Sequence, residues 1–295
     1  MANLFTLFKK ITNPLKGGVL GKIPGVSHLY RSLFRLTKPK GIIQIQCQGH
    51  HLAVNADDEG VVPFLLTQGV FEEYETELVR QCLHPGMRVV DIGANFGYYT
   101  LIAAARVGKE GKVYAFEPEP GNYELLLKNI SLNHYETIVP IQQAVSNRRG
   151  TTNLFVDKRN LGAPSLAEKN VDRRQGIVAV ETVSIDEFFK TVEGFGPIDF
   201  LKIDAQGAEG LIFEGACNCL KNEGLKIMME FWPQGLRNMG TDPLNLLRLI
   251  KSSGFTIKII EEKKRVLVGI EEVEAIGNYL QLKSSQAAVN LLLEK

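Results

Sequence analysis

At 295 residues, 44% of them hydrophobic and 23% charged, the chain is an ordinary globular protein able to bury a large core, as one large domain or one domain with an appendage. Its net charge of +1 hides an asymmetry, because residues 1–56 hold eight Lys or Arg and no acid, against 26 basic and 33 acidic groups in the rest. No run approaches the roughly 18 apolar residues of a membrane span. Charges follow the short apolar start instead of preceding a long one, unlike a signal peptide. The cysteines (Cys47, Cys82, Cys217 and Cys219) lack the paired spacing of a zinc site, so the expectation is a cytoplasmic protein with reduced thiols.

In the basic arm, taken as residues 1–60, Leu4, Leu7, Phe8 and Ile11 share one face of a short helix that Pro14 ends. Ser27 caps a second, with Leu29, Tyr30, Leu33 and Phe34 on one face and Arg31 and Arg35 elsewhere. Two such helices suit peripheral contact with an anionic membrane surface at its inner face, and equally suit packing on the main domain or on a second subunit. RNA fits less well, because few aromatic residues interleave with the charges. The alternation of Ile43-Gln44-Ile45-Gln46-Cys47-Gln48 then predicts a strand, returning over His51 to Val54 as a small hairpin with His50 and His51 as solvated turn residues. Residues 72–83 have a helical pattern and end at His84-Pro85-Gly86.

From Met87 onward strand and helix patterns alternate, the sequence form of an α/β fold with a doubly wound, mainly parallel sheet. Strands are predicted near residues 88–92, 112–116, 137–143, 198–203, 225–230, 255–260 and 277–283, and helices near 96–107, 120–132, 208–220 and 243–253. Seven strands complete one sheet, and ligands of such sheets bind beyond the carboxyl ends of the strands. The first of these strands ends in Asp91-Ile-Gly93-Ala-Asn95-Phe-Gly97-Tyr98-Tyr99-Thr100, a glycine bend leading into a helix N-terminus. Glycine there permits positive φ and lets a ligand lie against the backbone. The second strand ends at Glu117, twenty-six positions after Asp91, with Pro118 stopping the strand behind it. A carboxylate at that place can accept both hydrogen bonds of a ribose diol, which points to a nucleoside-containing cofactor. The dinucleotide pattern G-x-G-x-x-G is absent, since position 100 is Thr, and Asp91 would repel a pyrophosphate but suits the charged amino acid end of S-adenosylmethionine.

Five motifs in order resemble the FkbM family of S-adenosylmethionine-dependent methyltransferases over residues 61 to about 232: Val90 to Thr100; Ala115-Phe116-Glu117-Pro118-x-Pro120-x-Asn122; Asn129-Ile-x-Leu-Asn133; Ala144-Val145-Ser146; and Leu201-Lys202-Ile203-Asp204-x-x-Gly207-x-Glu209. The resemblance implies a class I methyltransferase fold, Rossmann-like with an antiparallel seventh strand, and O-methylation of a hydroxyl on a sugar, glycolipid or related metabolite. It places the cofactor at Asp91, Gly93, Asn95, Gly97, Tyr98, Thr100, Glu117, Pro118 and Asn122, with Ala144 at the adenine wall. One departure is Gln206, where the family usually has Glu.

A hydroxyl is a poor nucleophile, so it must be positioned closely and relieved of its proton. Asp204 is the first candidate for base or orienting group, with Lys202, Glu209 and Glu230 around it. Asp204 and Glu209 have a competing use as helix caps. Asp204 and Glu230 as ligands of a divalent cation would lack a clear third partner, and no metal is expected. Residues 146–197 exceed a simple crossover; Thr151 to Val156 and Ile177 to Val183 alternate like strands and enclose Lys158, Arg159, Lys169, Arg173 and Arg174, a substrate cap suited to phosphate or carboxylate groups. Trp232 suits stacking on a sugar face or packing in the core. The methyltransferase domain is drawn at 61–283, and Gln286 to Leu293 is expected to form a docking helix in a tail from residue 284. An RNA or protein methyltransferase would share the cofactor half, but the Asn-Pro-Pro-Tyr type motif of amino-methylating enzymes is replaced here by Lys202-Ile-Asp204-Ala. A non-catalytic cofactor-binding partner would have lost Asp204 and its neighbours, which are present.

Overall fold

The computed structural model describes residues 33–34, 36–157, 160–192, 196–277 and 287–295. The amphipathic helices expected at Leu4 to Ile11 and after Ser27 lie outside them but for Leu33 and Phe34, as do Lys158, Arg159 and all but the start of the strand expected at 277–283. In chain order the elements are β1 (Ile42–Cys47), β2 (His50–Asn55), α1 (Val62–Gln68), α2 (Glu73–Cys82), β3 (Arg88–Ile92), α3 (Tyr98–Val107), β4 (Lys112–Phe116), α4 (Pro120–Asn133), β5 (Ile138–Ile141) and β6 (Ala144–Val145). There follow β7 (Gly150–Asp157), β8 (Arg174–Val183), α5 (Ile185–Lys190), β9 (Phe200–Ile203), α6 (Glu209–Glu214), β10 (Lys226–Phe231), α7 (Pro233–Asn238), α8 (Pro243–Ser252), β11 (Thr256–Glu261), β12 (Val266–Ile270) and β13 (Val289–Glu294). Among the described residues no helix is long and apolar enough to cross a membrane.

The main sheet runs β12-β11-β13-β10-β9-β3-β4-β5. Strands β10, β9, β3, β4 and β5 are mutually parallel, and β13 pairs antiparallel with both β10 and β11. This is the class I methyltransferase arrangement, a Rossmann-like sheet with its last strand reversed. It differs from the expectation in two ways. The sheet has eight strands, because β12 adds a hairpin to its edge. The expected C-terminal docking helix is instead β13: Val289 and Leu291 to Leu293 are all buried, both faces of the strand being covered. A short unbroken apolar run cannot be told from a buried helix by periodicity, which is why the sequence misled.

The strands alternate across the sheet as their period demands. Val89 faces the core formed with α3 and the hairpin, while Val90 and Ile92 face the core formed with α5, α6 and α8. The β1–β2 hairpin belongs to the main domain and not to the arm. Asn129, fully buried on α4, donates to the carbonyls of Ala53 (3.0 Å) and Phe96 (2.7 Å) and accepts from the Ala53 N–H (2.6 Å). Asn133, one turn on, exchanges hydrogen bonds with both backbone groups of His51. His50, expected as a solvated turn residue, is buried with Nε2 3.0 Å from the Tyr135 hydroxyl, because the hairpin tip folds down onto the end of α4.

The insertion between the third and fourth parallel strands forms its own small sheet, β6-β8-β7, with Ala144, Leu154 and Val180 as its core. The two strands expected there are present, and the segment between them closes over the carboxyl ends of the main sheet.

Candidate functional site

Two loops at adjacent strand ends make the floor of the site. The loop after β3 turns at Gly93 (φ 78°) and enters α3 at Gly97 (φ 93°). The reason for glycine at position 93 is close backbone approach: a Cβ would stand 1.9 Å from the carbonyl oxygen of Asp204 in the loop after β9. At position 97 a Cβ would meet Leu126 of α4 at 2.7 Å. Both glycines therefore answer to the fold first, and Gly93 alone of the two also lines the cleft.

Among the described residues, three adjoining cavities lie along the strand ends. The first, about 510 Å³, is lined by Gly93, Asn95, Glu117, Pro118, Asn122 and Ala144, with Leu154, Gly162, Pro164 and Leu166 of the cap as a mainly apolar roof. The second, about 910 Å³, is lined by Glu72, Asp91, Tyr98, Tyr99, Lys202, Asp204 and Glu230. The third, about 1170 Å³, extends under the cap past Glu59, Asp157, Asn170, Asp172, Arg173, Glu230 and Trp232. Gly93, Asn95, Asp204 and Gln206 join the first to the second, while Gln206 and Glu230 join the second to the third.

In the first cavity Glu117 is buried, and its two oxygens accept from the backbone N–H groups of Asn95 (2.7 Å) and Glu119 (2.9 Å). Each oxygen keeps a lone pair for another donor. Burial pushes this carboxyl up to about 8 against the pull of those two hydrogen bonds. Asn122 donates to the Leu161 carbonyl (2.8 Å) and so ties the cap to α4. The donor set fits an adenosine: a buried carboxylate for a vicinal diol, beside an apolar slot walled by Ala144, Leu154 and Leu166.

The second cavity concentrates carboxylates around one buried lysine. Lys202 lies 3.6 Å from Asp204 and 4.5 Å from the centre of the Tyr99 ring. Burial alone would lower its pKa, but the charges of Asp204, Glu75, Asp91 and Glu72 outweigh burial and raise it. Asp91 accepts from Thr100 Oγ1 at 2.6 Å, and burial raises its carboxyl although Lys202 and Thr100 oppose this. Burial likewise lifts Glu72 and, well above the usual carboxylate range, Glu230. Among the described residues, four acids against one cation suit a ligand end that carries positive charge, as the ammonium and sulfonium of a methyl donor do.

Three expected site residues line none of these cavities. Gly97 shapes the entry to α3, and Thr100 holds Asp91 from behind. Glu209 is fully buried, with Oε1 accepting from the N–H groups of Ala205 (3.1 Å) and Gly207 (3.2 Å) and Oε2 without a partner. Burial pushes it up to about 7. It braces the loop carrying Asp204 and Gln206 and does not reach the cleft, so it is a supporting group. Lys202, Asp204 and Glu230 are brought together as expected. A cation between Asp204 and Glu230 would have to displace the Gln206 amide, whose Nε2 donates to both (2.7 and 3.2 Å). Sequence reasoning missed Glu72 and Tyr99, which are hydrogen bonded to each other at 3.0 Å. Glu72 stands with φ 43° just before α2, and nothing local distinguishes it from an ordinary acid at a helix start. Of the basic residues expected in the cap, Arg173 lines the third cavity, beside Glu59, Asp157 and Asp172.

A family model described as Methyltransferase FkbM domain matches residues 91–257, more than half of the chain. Methyltransferase sdnD of Sordaria araneosa is 27% identical over 197 residues, covering 57% of this chain and 73% of that protein. Among solved structures, the FkbM methyltransferase of Methylobacillus flagellatus KT aligns with a TM-score of 0.41 at 12% identity, over 78% of this chain and 52% of that one. A Streptococcus mutans protein in complex with SAH aligns with a TM-score of 0.44 at 11% identity, over 76% of this chain and 96% of that one. With a methyltransferase sheet, a buried carboxylate at the end of β4 and a matching family model, the chain belongs to the FkbM family of S-adenosylmethionine-dependent methyltransferases.

Proposed function

We propose that this methyltransferase acts on oxygen, at a hydroxyl of a sugar, glycolipid or related metabolite. The observation that carries the reading is the junction of the cavities: Asp204 lines both the adenosine-side and methionine-side cavities, and Glu230 lines both the methionine-side cavity and the one under the cap. Glu117 and Asn122 would hold the nucleoside and Asp91 with Glu72 the amino acid end. When bound, S-adenosylmethionine supplies a methyl group on a positively charged sulfur that departs as a neutral thioether. An acceptor hydroxyl entering from the third cavity gives its proton to the Asp204 carboxylate as its oxygen takes the methyl group, with Lys202 fixing that carboxylate. Trp232 offers a flat apolar wall for a sugar ring, and the acids and amides around it offer partners for hydroxyls.

The carboxylates of that third cavity argue against a polyanionic acceptor, RNA included, and favour a neutral, hydroxyl-rich one. The basic residues 1–56 suit peripheral contact with an anionic membrane, which would bring a lipid-linked acceptor to the cleft. The test is transfer of labelled methyl to neutral glycosides, lipid-linked glycans and RNA. Label on a glycan hydroxyl supports the proposal, and label on RNA alone overturns it.

A further inference from the structure

Among the described residues, Gln206 is the only one that lines all three cavities. It sits in the loop after β9 with φ 50°, an uncommon conformation for a residue with a Cβ. Such a conformation persists only where the surroundings impose it. Here they do: the Gln206 carbonyl accepts from Ser165 Oγ (2.8 Å) and Asn170 Nδ2 (2.9 Å) of the cap, and Glu209 braces the loop from below through the N–H groups on either side. The side chain thus held places its amide nitrogen between two acids, 2.7 Å from Asp204 Oδ1 and 3.2 Å from Glu230 Oε2. An amide NH₂ has two hydrogens, one for each carboxyl.

We propose that the Gln206 amide is a positioning group that holds Asp204 and Glu230 as a single carboxyl pair facing the acceptor, and so sets which of the two receives the hydroxyl proton. The proposal rests on the O-methylation reading for the identity of that proton. Without the amide, two acids that face the same cavity have nothing between them to offset their repulsion. Among the described residues, the other charged groups around the pair are Lys202 on β9, Asp91 at the end of β3, Glu72 before α2 and Glu75 within it, Glu209 on α6, Glu59 before α1, and Asp157, Asp172 and Arg173 of the cap, with Lys202 3.6 Å from Asp204. Burial, reinforced by Asp204, Glu209 and Glu72, raises the Glu230 carboxyl well above the usual range. Asp204, 3.6 Å from the Lys202 ammonium, is the member placed to take the hydroxyl proton. A donor shared by both acids stabilises their charged forms, and its loss moves proton uptake by the pair to higher pH.

The test uses the full chain saturated with SAH and no acceptor, carboxyl-labelled with ¹³C at Asp and Glu, with the Glu230 signal assigned by its absence in Glu230→Gln. Gln206→Leu and Gln206→Met both remove the amide while keeping similar volume. In either folded variant the Glu230 titration midpoint is expected to rise by one pH unit or more while SAH affinity by calorimetry stays within threefold. With a working acceptor, the acidic limb of kcat/KM against pH moves up in step and kcat falls tenfold or more with KM for S-adenosylmethionine little changed. An unchanged Glu230 midpoint in a folded variant overturns the proposal. Because the titration is read without acceptor, it stands or falls independently of whether the acceptor is a glycan or RNA.

Discussion

Replacing Glu117 tests the nucleoside end of the proposed cofactor site. Its oxygens each hold one backbone N–H, from Asn95 and Glu119, and each has one acceptor position left. Hydrogen bonds to a charged group contribute about 1.5–3 kcal/mol apiece, so a diol on both oxygens is worth about 3–6 kcal/mol. At about 1.4 kcal/mol per decade, Glu117→Ala is expected to weaken SAH binding about 10²- to 10⁴-fold in calorimetry. The pH dependence is a second signature. The carboxyl is pushed up to about 8 in the free protein, whereas two hydroxyl donors favour its charged form, so affinity rises from pH 6 to 9. Binding at pH 7 then releases a proton, seen as a binding heat that differs between phosphate and Tris buffers. The sign for stability runs the other way: a carboxyl raised from 4.5 to about 8 on folding contributes stability that is full below pH 4.5 and lost as pH rises toward 8, on the order of 5 kcal/mol at most. Melting of the ligand-free wild type should therefore fall more steeply between pH 5 and 9 than that of Glu117→Ala. SAH affinity within threefold of wild type in the variant, or wild-type affinity flat from pH 6 to 9, would refute this account of the first cavity.

Asp204→Asn keeps the shape of the loop but removes the proton acceptor, so turnover should drop about 10²-fold or more with SAH affinity intact; a variant with normal turnover removes Asp204 from the mechanism. Gly93→Ala forces a Cβ to within 1.9 Å of the Asp204 carbonyl at a φ of 78°, and thermal unfolding should show a loss of about 3 kcal/mol or more. Asn129→Ala leaves one N–H and two carbonyls of Ala53 and Phe96 buried without partners, a cost of about 3–6 kcal/mol. A melting temperature within about 2 °C of wild type would show that the hairpin is not pinned this way.

The parts of this fold that were legible in the sequence are those whose cause is local. Strands β3 and β4 are short buried runs bounded by turn residues, and α4 opens with an N-cap in which Glu119 accepts from the Asn122 N–H at 2.6 Å. Asp91 and Glu117 were found because a strand end fixes where a side chain points. The glycines were located correctly but for an incomplete reason: positive φ can be guessed from sequence, yet the atom occupying the missing Cβ at position 93 belongs to Asp204, more than a hundred residues away. The same limit applies to the Asn129 and Asn133 motif, whose hairpin partners Ala53 and His51 lie more than seventy residues earlier. A recognised motif says that a residue is constrained, and only the fold says by what.

The reversed last strand shows the consequence of that limit for the site itself. Leu291 to Leu293 insert between β10 and β11 with their side chains buried, and the polar residue just before them, Asn290, pairs in register with Glu230 of β10. Its side-chain amide donates to Glu75 and, at 3.3 Å, to Glu72. Asn290 thus supplies neutral donors to buried Glu75 and half-buried Glu72, in the same manner as Gln206 does for Asp204 and Glu230. The cleft therefore holds its acids with amides on both sides and keeps one buried lysine against Asp204. Amides satisfy carboxylates without neutralising them, so the negative potential remains available to a cationic ligand. Had lysines stood at positions 206 and 290, the same acids would be paired internally, and the second cavity would have little attraction left for a sulfonium.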